Sequence, residues 1–206
     1  MLKDKRILIT GANGGIGLAT CKLLLQNGAK LVLFFHENRN EIDELIKKNS
    51  TVADNIEVHQ INLLDHDEIK TSLAKVMSSG NIDAFVHSVA LPLEMKGFTS
   101  LEWNNFQQEI EIQARSFVWI IQHLIPFMKE KKHGKIISIL TSAAVGKPPT
   151  NMSNYLIGKY SLLGLSRSLA VELGRYGITV NCVSPSTVDT PLIKNFPKSM
   201  LEVSKS

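Results

Sequence analysis

The chain has 206 residues, 44% of them hydrophobic and 20% charged, the make-up of an ordinary globular protein. That length suits one sizeable core, so a single domain over residues 1–206 is expected and a second is not. The formal net charge of +4 comes from scattered Lys and Arg, with no basic stripe interleaved with aromatics, which argues against nucleic acid as a partner.

From Met1 the chain enters an apolar run at once, without the apolar region and cleavage site of a secretion signal. Short β-branched or apolar runs then alternate with longer helical patterns. Strands are expected at Arg6–Thr10, Lys30–Phe35, Ile56–Ile61, Ile82–His87, Lys135–Leu140 and Thr179–Val183. Several are apolar almost throughout, as parallel strands covered on both faces must be. Helices are expected at about Gly15–Asn27, Asn40–Lys48, Asp65–Ser78, a long Leu101–Lys131, and Ser153–Tyr176. Gly28, Gly134 and Gly177 fall where C-caps or strand entries are wanted. The alternation predicts an α/β fold, a Rossmann-like doubly wound parallel sheet in three α/β/α layers. No run reaches the roughly 18 apolar residues of a membrane span, so no membrane partner and a cytoplasmic location are expected. Cys21 and Cys182 lie far apart and read as two buried free thiols in a reducing cytosol. The histidines at 36, 59, 66, 87, 123 and 133 have no ligand spacing, and no metal is expected. The segment from Lys147 to Asn151 reads as a loop placed where a substrate would enter.

Two motifs carry chemistry. The first strand stops at Thr10, and glycines occupy positions 11, 14, 15 and 17 before the first helix. Glycine turns without steric cost and lets backbone approach a pyrophosphate, while the helix N-terminus offers free N–H groups and a positive dipole end. A plain structural turn would use the same residues, and the spacing TGxxxGxG is not the GxGxxG of most dinucleotide folds. The second motif is Tyr155 with Lys159. At i and i+4 on a helix they share a face, and a neighbouring ammonium favours the phenolate. A tyrosine of ordinary pKa about 10 is thereby expected to exchange a proton near neutral pH. Alone, such a pair is more often a surface Tyr and a snorkelling Lys; together with the glycine turn it is not.

On these residues the chain resembles the short-chain dehydrogenase/reductase family, in its classical branch, over nearly its whole length. Thr10 to Gly17 is similar to the family's TGxxxGxG and Tyr155 to Lys159 to its YxxxK. Asn181-Cys-Val-Ser-Pro185 with Thr190 resembles the segment that closes over the nicotinamide, and Asn62-Leu-Leu-Asp65 the one near the adenine. The resemblance implies hydride transfer between a nicotinamide cofactor and a small-molecule carbonyl or alcohol, with 3-oxoacyl thioesters, as in 3-oxoacyl-carrier-protein reductases, among the substrates. It implies a cofactor held by Thr10, Gly11, Asn13, Gly15, Ile16, Gly17, His36, Asn62, Leu63, Ser88, Ala90, Pro185, Val188 and Thr190, together with Tyr155 and Lys159. The catalytic group it implies is Ser142, Tyr155, Lys159 and Gln113. In that group Ser142 bonds the substrate oxygen, Tyr155 donates the proton, Lys159 depresses the Tyr155 pKa and holds the ribose, and Gln113 carries a water relay. The extended branch, with TGxxGxxG, and the enoyl reductases, with a wider Tyr–Lys interval, fit less well, although Val86–Ala90 is similar to the latter.

The chain departs from the pattern at several points. The family's NNAG is His87-Ser-Val-Ala90, its relay Asn is Gln113, and its PG glycine is Ser186. The catalytic hydroxyl is ambiguous: counting back from Tyr155 favours Ser142, and counting along the strand from Gly134 favours Thr141. After Thr190 the family's last strand and helix have no recognisable counterpart before Ser206. At the end of the second strand Phe35 replaces the acid that NAD-preferring members use, with His36 and Arg39 following, so NADP(H) is expected and NAD(H) is the alternative. The two long helices carry more apolar surface than one sheet face buries, and the resemblance implies that they pair across a two-fold axis into a homodimer or homotetramer. A nucleotide-binding scaffold without turnover is the rival reading, and the retained Ser/Tyr/Lys set argues against it.

Overall fold

A computed structural model describes residues 2–193. Its frame is a parallel sheet of six strands: β1 (Arg6–Thr10), β2 (Lys30–Phe35), β3 (Ile56–Gln60), β4 (Ala84–His87), β5 (Gly134–Ile139) and β6 (Ile178–Val183). Their spatial order is β3-β2-β1-β4-β5-β6. The winding therefore reverses between β1 and β4, and the crevice for a ligand opens at the carboxyl ends of those two strands. Strand bounds agree with the sequence reading to within one or two residues. Ile61, Ile82 and Leu140 are buried but sit just outside the ladders, because burial marks them in sequence and pairing does not include them.

Successive strand residues feed opposite faces. Leu8, Val32, Phe34, Phe85 and Ile136 pack against α3 (His66–Ser78), α5 (Ser116–Glu130) and α6 (Ser153–Gly174). Ile7, Ile9, Leu31, Leu33 and Phe35 pack against α1 (Gly15–Gln26) and α2 (Asn40–Lys48). These strands are covered on both sides, which explains their unbroken apolar runs. Phe85 and Phe117 lie 6.0 Å apart between their ring centres under the first group of helices. Each such side chain contributes about 1.5–3 kcal/mol by leaving water.

The long helix expected over Leu101–Lys131 is interrupted. It consists of α4 (Trp103–Ile110), a π turn (Glu111–Arg115) and α5. A π turn withholds a carbonyl from the helical ladder, and such turns gather at functional sites. Here the Gln113 carbonyl accepts from His87 Nε2 at 3.2 Å. After α6, Gly177 adopts φ +71°, and a Cβ there would stand 2.3 Å from the Lys132 carbonyl oxygen.

Cys21 is buried and its thiol is pushed up to about 12 by that burial, an unreactive state. Cys182, expected buried, is half-buried, because β6 closes one edge of the described sheet. No helix among the described residues is long and apolar enough to cross a membrane. The expectation about a last strand and helix falls mainly on residues 194–206, which lie outside the described residues.

Candidate active site

The glycine turn is shaped by close approach. Gly11 has φ +65°, and a Cβ on it would lie 2.2 Å from the Ser88 carbonyl oxygen. A Cβ on Gly17 would lie 2.1 Å from the Gly11 carbonyl oxygen, so helix and turn meet without room for a side chain. Gly14 caps α1 with no side-chain hydrogen bond, and no acid sits in the first turn, which leaves the first N–H groups and the dipole for an anion. Thr190 folds over this helix end, its Cγ2 standing 2.4 Å from where a Gly15 Cβ would be. The Ile16 carbonyl accepts from the Thr20 hydroxyl within the helix at 2.8 Å. These residues fit the pyrophosphate and ribose of a dinucleotide, since the cradle is open backbone and positive dipole.

Asn13 ties this turn to the end of β2, donating to the carbonyls of Glu37 at 2.6 Å and Asn38 at 3.2 Å. His36 is exposed at that end, with its Nδ1 3.7 Å from Glu37 Oε1, and its carbonyl accepts from Gln60 Nε2 at 2.9 Å. Phe35 is buried, so no acid faces the crevice from that position. Asn62 donates its N–H to Glu68 Oε2 and accepts from Leu64 N–H, both at 3.0 Å, which pins the loop before α3. Leu63 belongs to the core. Ala90 and Val188 are exposed.

The second half of the site stands at the ends of β4, β5 and β6. Lys159 is 3% exposed, and its Nζ donates to Gln113 Oε1 at 3.0 Å, the Ile139 carbonyl at 2.8 Å and the Val89 carbonyl at 3.5 Å. Burial lowers its pKa to about 8, with the Glu109 carboxylate opposing that shift. Gly158 makes this possible: a Cβ there would fall 2.8 Å from the Glu109 carbonyl oxygen, so α6 meets α4 at backbone distance.

Tyr155 is 7% exposed, and its pKa is raised to about 12. The expectation that Lys159 depresses it is reversed. Burial dominates, a Thr141 hydrogen bond opposes it, and the Glu109 charge adds to it, while the ammonium lies 5.7 Å from the ring centre. Thr141 and Ser142 both stand where β5 ends: Thr141 Oγ1 accepts from Ala143 N–H at 3.3 Å, and Ser142 begins a short 3-10 turn and donates its N–H to the Pro185 carbonyl at 2.8 Å.

Three links were not read from the sequence. Thr10 and His87 are fully buried, with Thr10 Oγ1 2.9 Å from His87 Nδ1. Because the Gln113 carbonyl only accepts, His87 Nε2 carries the proton and Nδ1 accepts from the Thr10 hydroxyl. Burial first, then the Lys159 charge, lowers the His87 pKa to about 3, so the ring is neutral. The third is Glu109, 3% exposed, whose pKa burial raises to about 7 against the attraction of Lys159. Glu109 precedes Gln113 by four residues, a spacing that places both on one helix face and could have been noticed.

The model of the short chain dehydrogenases matches residues 5–200. The chain belongs to that family. A 3-oxoacyl-acyl-carrier-protein reductase of Thermotoga maritima is 27% identical over 206 residues, which is 100% of this chain and 82% of that protein. An uncharacterised oxidoreductase of Bacillus subtilis is 31% identical over 195 residues, 95% of this chain and 73% of the relative. Among solved structures, a 3-ketoacyl-acyl-carrier-protein reductase from Brucella melitensis complexed with NADH superposes with a TM-score of 0.86 at 22% identity. That match covers 95% of this chain and 80% of the other. As a short chain dehydrogenase, the protein is an NAD(P)-dependent oxidoreductase moving hydride between nicotinamide and a carbonyl or alcohol carbon.

Proposed function

We propose that the chain is a cytoplasmic, single-domain NADPH-dependent ketone reductase, with 3-oxoacyl thioesters as its leading substrate class. The observation that carries this is the buried Tyr155 phenol with the buried Lys159 ammonium 5.7 Å from its ring centre. The name of the Thermotoga relative supports the substrate class.

When bound, the cofactor supplies the hydride. Gly11, Asn13, Gly15, Ile16, Gly17 and Thr190 would hold its phosphates and ribose, with His36, Asn62, Ser88, Ala90, Pro185 and Val188 along the same crevice and the buried Thr10 and Leu63 beneath it. Ser142, with Thr141 as the alternative, donates to the substrate carbonyl oxygen and steadies the negative charge that develops there. Tyr155, with its pKa raised to about 12, is a neutral phenol near pH 7 and passes its proton to that oxygen. This protonation state suits reduction better than oxidation. Lys159 keeps a positive charge beside the site, and Gln113 holds it in position through the 3.0 Å bond.

The preference for NADP(H) rests on Phe35 in place of an acid and on His36 and Arg39 nearby. Arg39 also bonds Asp43 at 2.8 Å, so His36 is the freer of the two. Assembly through α4, α5 and α6 accords with the exposure of Trp103 at 68%, Tyr160 at 49% and Val171 at 84%. The test is consumption of NADPH against ketones and 3-oxoacyl thioesters, beside fluorescence titration of both reduced cofactors. Turnover with tighter NADPH binding is expected. A protein that binds NADPH yet reduces no member of the panel refutes the enzyme reading, and tighter NADH binding refutes the preference.

A further inference from the structure

Among the described residues, Glu109 and Lys159 are the two buried members of the Asp, Glu, Lys and Arg set. They sit on α4 and α6, which meet at backbone distance beside Gly158, and no direct ion pair within 4.0 Å joins them. Gln113 stands between them: its Oε1 takes a hydrogen bond from Lys159 at 3.0 Å, and its Nε2 side is turned towards the Glu109 carboxylate. Gln113 Nε2 and Glu109 Oε2 are both buried without a hydrogen bond of ordinary geometry among the described residues. A carboxylate placed this way is not a surface charge that folded inward. Burying it with no opposite charge nearby would cost several kcal/mol, and Lys159 is the buried opposite charge on the neighbouring helix.

We propose that Glu109 is a positioning residue for the reaction, the buried counter-charge that keeps Lys159 an ammonium in the working pH range. This rests on the proposed reductase reading for Lys159. The physical argument concerns sign. A buried Lys tends to shed its proton, and a nearby carboxylate opposes that. The charges that reach this pair are few: Lys159 acts on Glu109 and on His87, and Glu109 acts on Lys159 and Tyr155. His87 is neutral and Tyr155 is a phenol over the same range, so neither can substitute for the carboxylate. Gln113 carries no charge, and its bond to Lys159 orients the ammonium without holding its proton.

The experiment compares Glu109→Gln, Glu109→Leu and Glu109→Asp with the wild-type protein in two pH profiles. One is NADPH affinity by fluorescence; the other is kcat/KM for a ketone substrate. With Gln or Leu the alkaline limb, where the Lys159 charge is lost, should move to lower pH by about one unit or more. Asp, which keeps the charge, should bring the limb back towards its wild-type position. A residue that merely filled space would lower thermal stability and leave the limb where it was, and coincident limbs in the Gln and Leu variants overturn the proposal. So does a failure of both to fold while the Asp variant folds, since that assigns the carboxylate to folding alone. The binding profile needs no turnover. A protein that binds NADPH but reduces nothing therefore refutes the reductase reading while the shift is still measured, and one that never binds NADPH refutes both.

Discussion

Lys159 Nζ lies 3.0 Å from Gln113 Oε1 and 5.7 Å from the centre of the Tyr155 ring. The ammonium is thus tied to the π turn and not hydrogen-bonded to the phenol. Burial dominates the rise of the phenol pKa to about 12.

Tyr155→Phe keeps the ring and its packing while removing the proton donor. A loss of about 10²–10⁴-fold in kcat is expected, roughly 2.7–5.5 kcal/mol of barrier, with NADPH affinity reduced far less than kcat. Steady-state kinetics beside a cofactor titration check both parts.

Ser142→Ala should lower kcat/KM more than Thr141→Ala, because the Thr141 oxygen is already engaged by Ala143 N–H at 3.3 Å. Loss of one such donor typically costs about 10²–10³-fold. Equal losses, or a larger loss at Thr141, would give the role to Thr141.

Gly11→Ala and Gly17→Ala should each weaken NADPH binding and lower the Tm. The added carbon would meet backbone oxygen at 2.2 Å and 2.1 Å respectively, so the glycine turn itself would have to move. Gly164→Ala is the control, since nothing lies within 4 Å of a Cβ there. It should bind NADPH as the wild type does.

His87 titrates the fold. Its pKa is lowered to about 3 from an ordinary 6.5, so between these values the unfolded chain binds a proton that the folded chain refuses. Its contribution is fully present above pH 6.5 and is lost as pH falls towards 3, at a slope of at most about 1.4 kcal/mol per pH unit. His87→Asn should flatten the acid side of a plot of unfolding free energy against pH. An unchanged slope would show that His87 does not couple folding to protons.

The strands and most helices were legible because their signals are local. Apolar runs, glycines at element ends and the helical spacing of Tyr155 and Lys159 are properties of neighbouring residues, and they predicted a doubly wound sheet with a nucleotide turn. The π turn was not legible, because Leu101–Lys131 keeps a continuous helical pattern. What breaks the ladder at Gln113 is paired with a bond from His87, 26 residues away in sequence. The choice between Thr141 and Ser142 was undecidable by counting, since it depends on how the chain leaves β5 and on where a substrate oxygen sits. The direction of the Tyr155 shift was misread for a related reason. Spacing places Lys159 on the same helix face, but the balance between its charge and burial depends on packing that sequence does not carry. Glu109 shows the same limit: its four-residue interval from Gln113 is written in the sequence, whereas its burial arises where α4 and α6 meet at Gly158.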